Sequence, residues 1–406
     1  MKPSSSGGSA AEIDPCFADN SFLLPGKPTP GKLIAPLLFL LPISMVTDFL
    51  LPRLFDILFL LLLFPFLFDR NRKNRYQCFG FEPLLACYLL VAAIAWGRGL
   101  VIGTLDDPFR GLPTAARLLE IILFIPVITV HTIAPRERRY FLAGITAAFV
   151  VHLLLFAVFV GPAAHLAESE PEWSRTAERI SSTTALLLPI AAAFVLFSPT
   201  FLRLAALLLL PVLVALGGNR ASTVAGLVAL LVVVLFVPSS RLSAASRRFL
   251  GAVLITFLLL FLLSKHAQYG LTSLAGENFP IGEYGRFYSW HQALHEWRNT
   301  PFLGRGLGAV RRTFYEGDWV RVLHETGLTG LFFLLLPAVT LLRISLARRT
   351  PFSLSIGGVL LVLLLRSIFS SPLLRISDIG ILLLMISVRR SVSVHPSETT
   401  TGNLPI

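Results

Sequence analysis

The chain has 406 residues, of which 54% are hydrophobic and only 14% are charged, and its mean hydropathy is +0.74. These values exclude an ordinary soluble domain, because no soluble core of this size requires so much apolar sequence. The formal charge of +12 lies in short basic clusters between apolar segments, which argues against a nucleic-acid partner and indicates an integral membrane protein.

Residues 1–32 are rich in Ser, Gly and Pro and predict a disordered polar tail, as do residues 391–406. Between these tails, apolar segments approach the length of about 20 residues that a helix needs to cross a bilayer. They predict an all-α polytopic fold, with nine spanning helices in 33–264, one large extracytoplasmic loop at 265–325 that contains short helices, and three more spanning helices in 326–390. The predicted helices are 33–52, 54–68, 81–98, 115–132, 139–160, 180–198, 202–217, 221–238, 248–264, 326–344, 353–371 and 376–388.

Basic clusters between these segments predict the orientation. They are RNRKNR (70–75), PRERR (135–139), RLSAASRR (241–248), RISLARR (343–349) and RR (389–390). With a cytoplasmic amino terminus all five clusters fall on the cytoplasmic side, as the positive-inside bias requires. Both termini are therefore expected in the cytoplasm.

The large loop at 265–325 carries four of the eight histidines and seven basic residues on the side of the membrane where basic residues are scarce. An anionic ligand is one reason for such an excess. The loop is therefore the expected place for a site outside the bilayer.

Arg220 stands in the sequence GGNRAST between two apolar segments, at the predicted outer surface. One interpretation is an interfacial anchor, because a long cationic side chain can reach the headgroup region. The small neighbouring residues also allow a ligand to approach closely, and a planar guanidinium suits phosphate oxygens.

Within YGRFYSWHQALHEWRNTPFLGRGLGAVRR (284–312), apolar and aromatic residues recur at helical spacing from Arg286 to Trp297. This pattern predicts an amphipathic helix near the membrane surface, and a plain interfacial helix is one interpretation of it. Pro301 ends the pattern, and GRGLG predicts a flexible turn that holds Arg305.

The stretch DWVRVLHETGLTGLFFLLL (318–336) leads from ionisable residues into an apolar helix. On a helix, Asp318, Arg321 and Glu325 lie at i, i+3 and i+7, which places them roughly on one face. A solvated first turn would explain the acids. A catalytic base is the alternative, and Asp318, Glu316 and His324 are the candidates, since the sequence does not choose among them.

These three motifs, in this order, resemble the O-antigen ligase and O-antigen polymerase superfamily. The resemblance covers about residues 218–336. The matching residues are Arg220, Arg286, Trp290, Ala293, Leu294, Pro301, Gly304, Gly306, Asp318, Val320, Leu323, Glu325, Gly327 and Gly330.

The resemblance implies a metal-independent, inverting glycosyltransferase of the bacterial inner membrane that needs no cofactor. Its donor would be a glycan on undecaprenyl pyrophosphate, and its acceptor would be a glycan or lipid A-core. Arg220 and Arg286 would grip the pyrophosphate, and Arg305 is a third candidate. No carboxylate cluster in the outer loops has metal-binding spacing, although Asp106 and Asp107 leave a metal possible.

Ligases of this superfamily typically have a histidine nine residues before the glutamate of the E.G..G element, but Glu316 occupies that position here. Some polymerase-like members have an acidic residue near this point instead. The sequence therefore favours a polymerase, with a ligase as the alternative. A transporter or flippase of lipid-linked sugars is a further alternative, but the basic groups lie at the surfaces and not along a path through the helices.

Overall fold

The computed structural model describes residues 33–48, 50–51, 53–68, 82–103, 105, 108–132, 134–159, 171–196, 220–263, 286–309, 317–368, 370, 373 and 376–393. Within these residues the chain is helical and contains no strand. The helices are α1 (Ile34–Val46), α2 (Leu54–Phe68), α3 (Glu82–Ile102), α4 (Leu112–His131), α5 (Pro135–Phe159), α6 (Pro171–Leu196), α7 (Arg220–Phe236), α8 (Ala244–Leu263), α9 (Arg286–Trp297), α10 (Asp318–Arg348), α11 (Pro351–Arg366) and α12 (Ile376–Ser393). A short 3-10 helix, Pro108–Gly111, precedes α4.

Eleven of the twelve predicted apolar segments coincide with described helices, and the segment at 202–217 lies outside the described residues. The amphipathic helix predicted from Arg286 to Trp297 is confirmed as α9. Two helices, α6 and α10, begin nine and eight residues before their predicted starts, at Pro171 and Asp318. Their first turns are polar, so hydropathy alone does not detect them. The exact number of membrane spans stays a prediction.

The bundle presents apolar side chains to its surroundings. Phe64, Leu154 and Leu260 are each more than 60% exposed, at 65%, 62% and 64%. Six of the described helices are long and apolar enough to cross a bilayer: Pro83–Ile102, Leu112–His131, Pro135–Phe159, Arg179–Leu196, Ala244–Leu263 and Asp318–Arg348. Length and an apolar outer surface together identify a polytopic membrane protein.

The central helix of the bundle is α11, which packs against α6, α7, α10 and α12. Eleven of its 16 residues are buried. It begins after Thr350, whose side chain accepts a hydrogen bond from the backbone N–H of Ser353, and Pro351 follows in the first turn. In a bilayer, close van der Waals packing replaces the hydrophobic effect between helices, so a fully surrounded helix holds its neighbours in register.

Contacts between helix starts define one end of the bundle, here called the site end. Arg321 of α10 contacts Thr114 of α4, and Arg117 of α4 contacts Asp56 of α2. The described turns at 237–243 and 349–350 lie at the opposite end, since each follows a helix that starts at the site end. The basic clusters at 241–248 and 343–349 are therefore at the end opposite Asp318, as the orientation pattern predicts.

Candidate functional site

Helix α10 is broken at Gly327, which has φ 68° and ψ −166°. In a regular helix the N–H groups of Leu328 and Thr329 would donate to the carbonyls of His324 and Glu325. Here they donate to the carbonyls of Pro301 (2.9 Å) and Phe302 (3.2 Å) in the segment that follows α9.

The break also leaves the carbonyls of His324 and Glu325 without their helical partners, and the same segment supplies new donors to both. The carbonyl of His324 accepts a hydrogen bond from the N–H of Arg305 (2.8 Å), and that of Glu325 accepts one from Gly306 (3.0 Å). Residues 301–306 thus form a clamp, named here the 301–306 clamp, that replaces the missing backbone bonds of α10. Such substitution is needed because an unpaired backbone group at membrane depth costs several kcal/mol.

Glycines make the clamp possible. Gly304 has φ +64°, and a Cβ there would lie 2.5 Å from the carbonyl carbon of Glu325. A Cβ on Gly327 would lie 2.3 Å from the carbonyl oxygen of Phe302. The carbonyl of Gly304 also accepts a hydrogen bond from Arg98 of α3 at 2.9 Å. The turn predicted at GRGLG is present, and its glycines allow close backbone packing on both sides of the segment. Its flexibility stays a prediction.

Glu296 fastens α9 onto α10. Its Oε2 accepts a hydrogen bond from Nε2 of His324 at 3.0 Å and forms an ion pair with Arg305. Partial burial acts to raise the pKa of Glu296, but the hydrogen bonds from His324 and Arg305 outweigh it and hold the pKa below its usual range. Two predicted site residues, His324 and Arg305, therefore meet around one carboxylate.

A cavity of about 120 Å³ lies between α3, α4, α10, α11 and α12. Its walls are mainly apolar side chains, including Leu85, Leu118, Ile121, Leu334, Leu341, Leu364 and Leu383. The polar and ionisable lining residues include Tyr88, Thr114, Asp318, Arg321 and Glu325. The cavity thus joins hydrocarbon-like walls to a polar end at the start of α10.

Asp318, Arg321 and Glu325 all line this cavity, which confirms that the i, i+3, i+7 spacing places them on one face. Asp318 is only 2% exposed, its Oδ2 accepts a hydrogen bond from the N–H of Leu373 at 2.9 Å, and its own N–H donates to the carbonyl of Ser370 at 3.2 Å. Its carboxylate is therefore held in place by the connection between α11 and α12.

Arg321 and Glu325 are held in the same way. Nη2 of Arg321 donates to Oγ1 of Thr114 at 3.0 Å, and its Nε lies 3.3 Å from Oε2 of Glu325. Oε1 of Glu325 accepts a hydrogen bond from the N–H of Gly308 at 3.1 Å. Fixed donors and acceptors of this kind are what preorganised sites require.

The structure describes the remaining predicted residues to different extents. Arg220 and Arg286 are the first residues of α7 and α9, but their side chains, and all of Glu316, Asp106 and Asp107, lie outside the described residues. His324 is 1% exposed and does not line the cavity. Among the side chains that the structure describes, no group of three or more His, Cys, Asp or Glu residues is arranged to hold a metal ion.

Three site residues were missed by sequence reasoning. Glu296 lies in the polar face of α9, and its partner His324 is 28 residues away, so no local pattern joins them. Arg98 and Thr114 come from α3 and α4, far from the three motifs in sequence. The WGRG sequence that contains Arg98 is the only available signal, as a charged residue near the end of an apolar segment.

Residues 204–335 match a family model described as O-antigen ligase. The match covers about a third of the chain and supports its similarity to the O-antigen ligase and O-antigen polymerase superfamily. The match begins before α7 and ends within α10, so it contains Arg220, α9, the 301–306 clamp and the polar face of α10. No curated protein matches the chain. The helices α3, α4, α11 and α12, which with α10 supply the apolar walls of the cavity, lie outside the matched region.

Proposed function

We propose that the chain is a polymerase of the O-antigen ligase family that transfers a glycan from undecaprenyl pyrophosphate to a sugar hydroxyl at the outer face of the bacterial inner membrane. The observation that carries this proposal is the position of Asp318, inside the O-antigen ligase region and at the polar end of an apolar cavity. A polyprenyl donor needs this combination, because its tail is hydrocarbon and its reacting bond is polar.

Asp318 is the proposed base. In the reaction the acceptor oxygen attacks the anomeric carbon, the bond from that carbon to the pyrophosphate oxygen breaks, and the hydroxyl proton passes to the carboxylate of Asp318. Attack on the face opposite the leaving group inverts the anomeric configuration. Among the three candidate bases, Asp318 alone is described as lining the cavity, whereas His324 is buried against Glu296.

Arg220 and Arg286 are the proposed ligands of the leaving pyrophosphate. Opposite charges about 4 Å apart attract by roughly 4 kcal/mol at an effective dielectric near 20. If this attraction is confined to the transition state, it corresponds to about a thousandfold in rate. These arginines would do the work that other glycosyltransferases assign to a divalent ion. Arg305 has a secondary role, since Glu296 already compensates its charge.

Asp318→Asn tests this proposal, because the amide keeps the size of the side chain but cannot accept the proton. In membranes given a defined lipid-linked repeat unit, we expect Asp318→Asn to lower the transfer rate by about 100-fold or more. Asp56→Asn in α2, outside the cavity, is the matched control. We also expect transfer to persist in EDTA and the product linkage to be inverted by NMR. Wild-type rates in Asp318→Asn would refute the assignment of the base.

A ligase of the same superfamily is the alternative, and the matched family model does not distinguish it from a polymerase. Deletion of the protein separates the two activities on a gel of surface glycans. Loss of long chains, with one capped unit remaining, indicates a polymerase. Loss of every capped core, with accumulation of lipid-linked polymer, indicates a ligase. Transport of a lipid-linked sugar into vesicles without any new glycosidic bond would instead indicate a flippase.

A further inference from the structure

Arg366, in the last turn of α11, is an arginine buried at the site end of the bundle. Its side chain is 1% exposed, and that of Asp378 in α12 is 2% exposed. Two contacts of 3.3 Å join them, Nη1 to Oδ1 and Nη2 to Oδ2. Nη1 also donates to the carbonyl of Ser182 in α6 at 3.3 Å. One guanidinium therefore connects three helices.

A first set of contacts leads from Arg366 to Asp318. The carbonyl of Arg366 accepts hydrogen bonds from the N–H and the Oγ of Ser370, at 2.9 and 3.1 Å. The carbonyl of Ser370 accepts one from the N–H of Asp318, and the N–H of Leu373 donates to the Asp318 carboxylate. The connection between α11 and α12 therefore holds both the backbone and the carboxylate of Asp318.

A second set of contacts leads from Arg366 toward the start of α7. Ser182, whose carbonyl accepts from Arg366, also lies 3.4 Å by its Oγ from the Oγ of Ser222. Ser222 is two residues after Arg220 in the first turn of α7, and both serines are buried. Movement of Arg366 would therefore affect the start of α7 and the start of α10 together.

Stability alone does not require an ion pair at this place. Burying two charges costs several kcal/mol per ion, and well-packed apolar residues often stabilise a protein as much or more. The planar fork of arginine gives what an apolar pair cannot, namely two directed contacts to a carboxylate and a third to a carbonyl. The geometry of the pair is thus suited to fixing the relative positions of helices.

We propose that the Arg366–Asp378 pair sets the distance between the start of α7, which carries Arg220, and Asp318 in α10. Arg366 is then a positioning residue for glycosyl transfer, outside the family-matched region, and this role rests on the proposed function. The pair holds the pyrophosphate-binding and base-bearing helix ends at the separation that in-line attack requires.

Arg366→Lys tests the proposal, because lysine retains the charge opposite Asp378 but cannot make three directed contacts. We expect kcat per folded enzyme to fall about tenfold to a hundredfold while the KM for the donor stays within about twofold, as expected for displaced reacting groups. The matched control is Arg247→Lys in α8, which contacts the carbonyl of Val237 at the opposite end of the bundle. An unchanged kcat, or an effect on KM alone, would overturn the proposal.

A second measurement does not depend on activity. Spin labels on Ala221→Cys and Val320→Cys, with Cys16, Cys78 and Cys87 replaced by serine, report the separation of the starts of α7 and α10. We expect Arg366→Lys to shift or broaden this distance distribution and Arg247→Lys to leave it unchanged. An unchanged distribution in Arg366→Lys overturns the positioning role. If the wild-type protein transfers no glycan, the proposed function fails, and the label distances still decide whether the pair positions these helices.

Discussion

Glu296 shows how one carboxylate can decide the roles of two neighbouring residues. It engages both His324 and Arg305, which sequence reasoning assigned to catalysis and to phosphate binding. The contact with His324 holds α9 against α10, and the contact with Arg305 holds α9 against the 301–306 clamp. Because α9 begins at Arg286, the orientation of a proposed pyrophosphate ligand depends on this attachment.

The attachment of α9 to α10 through Glu296 should depend on pH. Since the pKa of Glu296 lies below its ordinary value of 4.5, the ionised carboxylate contributes stability that is complete above pH 4.5 and is lost as the pH falls through the lower pKa of the folded state. A spin label on His291→Cys, on the exposed side of α9, should therefore become more mobile in that acid range.

Glu296→Gln is the companion variant, because glutamine has the same shape but no charge to lose. We expect its label to be more mobile at pH 7 and to show no acid transition of its own. If the wild-type label keeps its mobility down to pH 3 while the bundle stays folded, or if Glu296→Gln retains the same transition, Glu296 does not attach α9.

The site residues were predictable to different degrees. Asp318, Arg321 and Glu325 share a face because of helical geometry, so their spacing alone was sufficient. The partners of His324 and Arg321 lie 28 and 207 residues away in sequence. Such pairs depend on how helices pack, which neither periodicity nor composition encodes locally.

At the scale of elements, α10 and the 301–306 clamp form one hydrogen-bonded unit. Gly327→Ala tests it. Alanine would have to adopt φ 68° with ψ −166°, a region that is essentially restricted to glycine and costs about 1–3 kcal/mol, and its Cβ would also clash with Phe302. We expect a lower thermal unfolding midpoint and loss of transfer activity.

Gly97→Ala in α3 is the control for this substitution. A Cβ at Gly97 would have no atom within 4 Å, and the residue lies inside a helix. Alanine there should be neutral or stabilise by about 0.5–1 kcal/mol. Equal unfolding midpoints for Gly327→Ala and the wild-type protein would show that the clamp does not need glycine.

Most elements followed from hydropathy, because an apolar segment of about 20 residues has few alternatives in a bilayer. The break in α10 at Gly327 did not follow from hydropathy. Gly327 and Pro301 are visible in the sequence, but the exchange of backbone partners between them depends on the approach of two distant segments. The sequence therefore predicted a turn at the clamp glycines but not the close backbone contacts that they make.

At the scale of the whole molecule, the two ends of the bundle differ in charge and in the groups they expose. The positive-inside bias predicts that the site end lies outside the cytoplasm. Two single-cysteine variants test this orientation, in a protein whose native cysteines are replaced by serine. One is Phe109→Cys in the 3-10 helix at the site end, where the native side chain is 71% exposed, and the other is Ser240→Cys in the turn at the opposite end.

In intact spheroplasts a membrane-impermeant maleimide should label Phe109→Cys, and it should label Ser240→Cys only after permeabilisation. Phe109 follows α3 and Ser240 follows α7, so the two positions report on opposite ends of different helices. The reverse pattern would place Asp318 in the cytoplasm and exclude a reaction at the outer face.

The broken helix also has a consequence for the order in which the protein is made. The backbone bonds that α10 lacks at Gly327 are replaced by bonds to residues 301–306, which precede α10 in the chain and are therefore synthesised first. The carbonyl of Gly304 in turn meets Arg98 of α3, which is synthesised some 200 residues earlier. We therefore expect the candidate site to be completed late in synthesis, once α3, the 301–306 clamp and α10 have all been made.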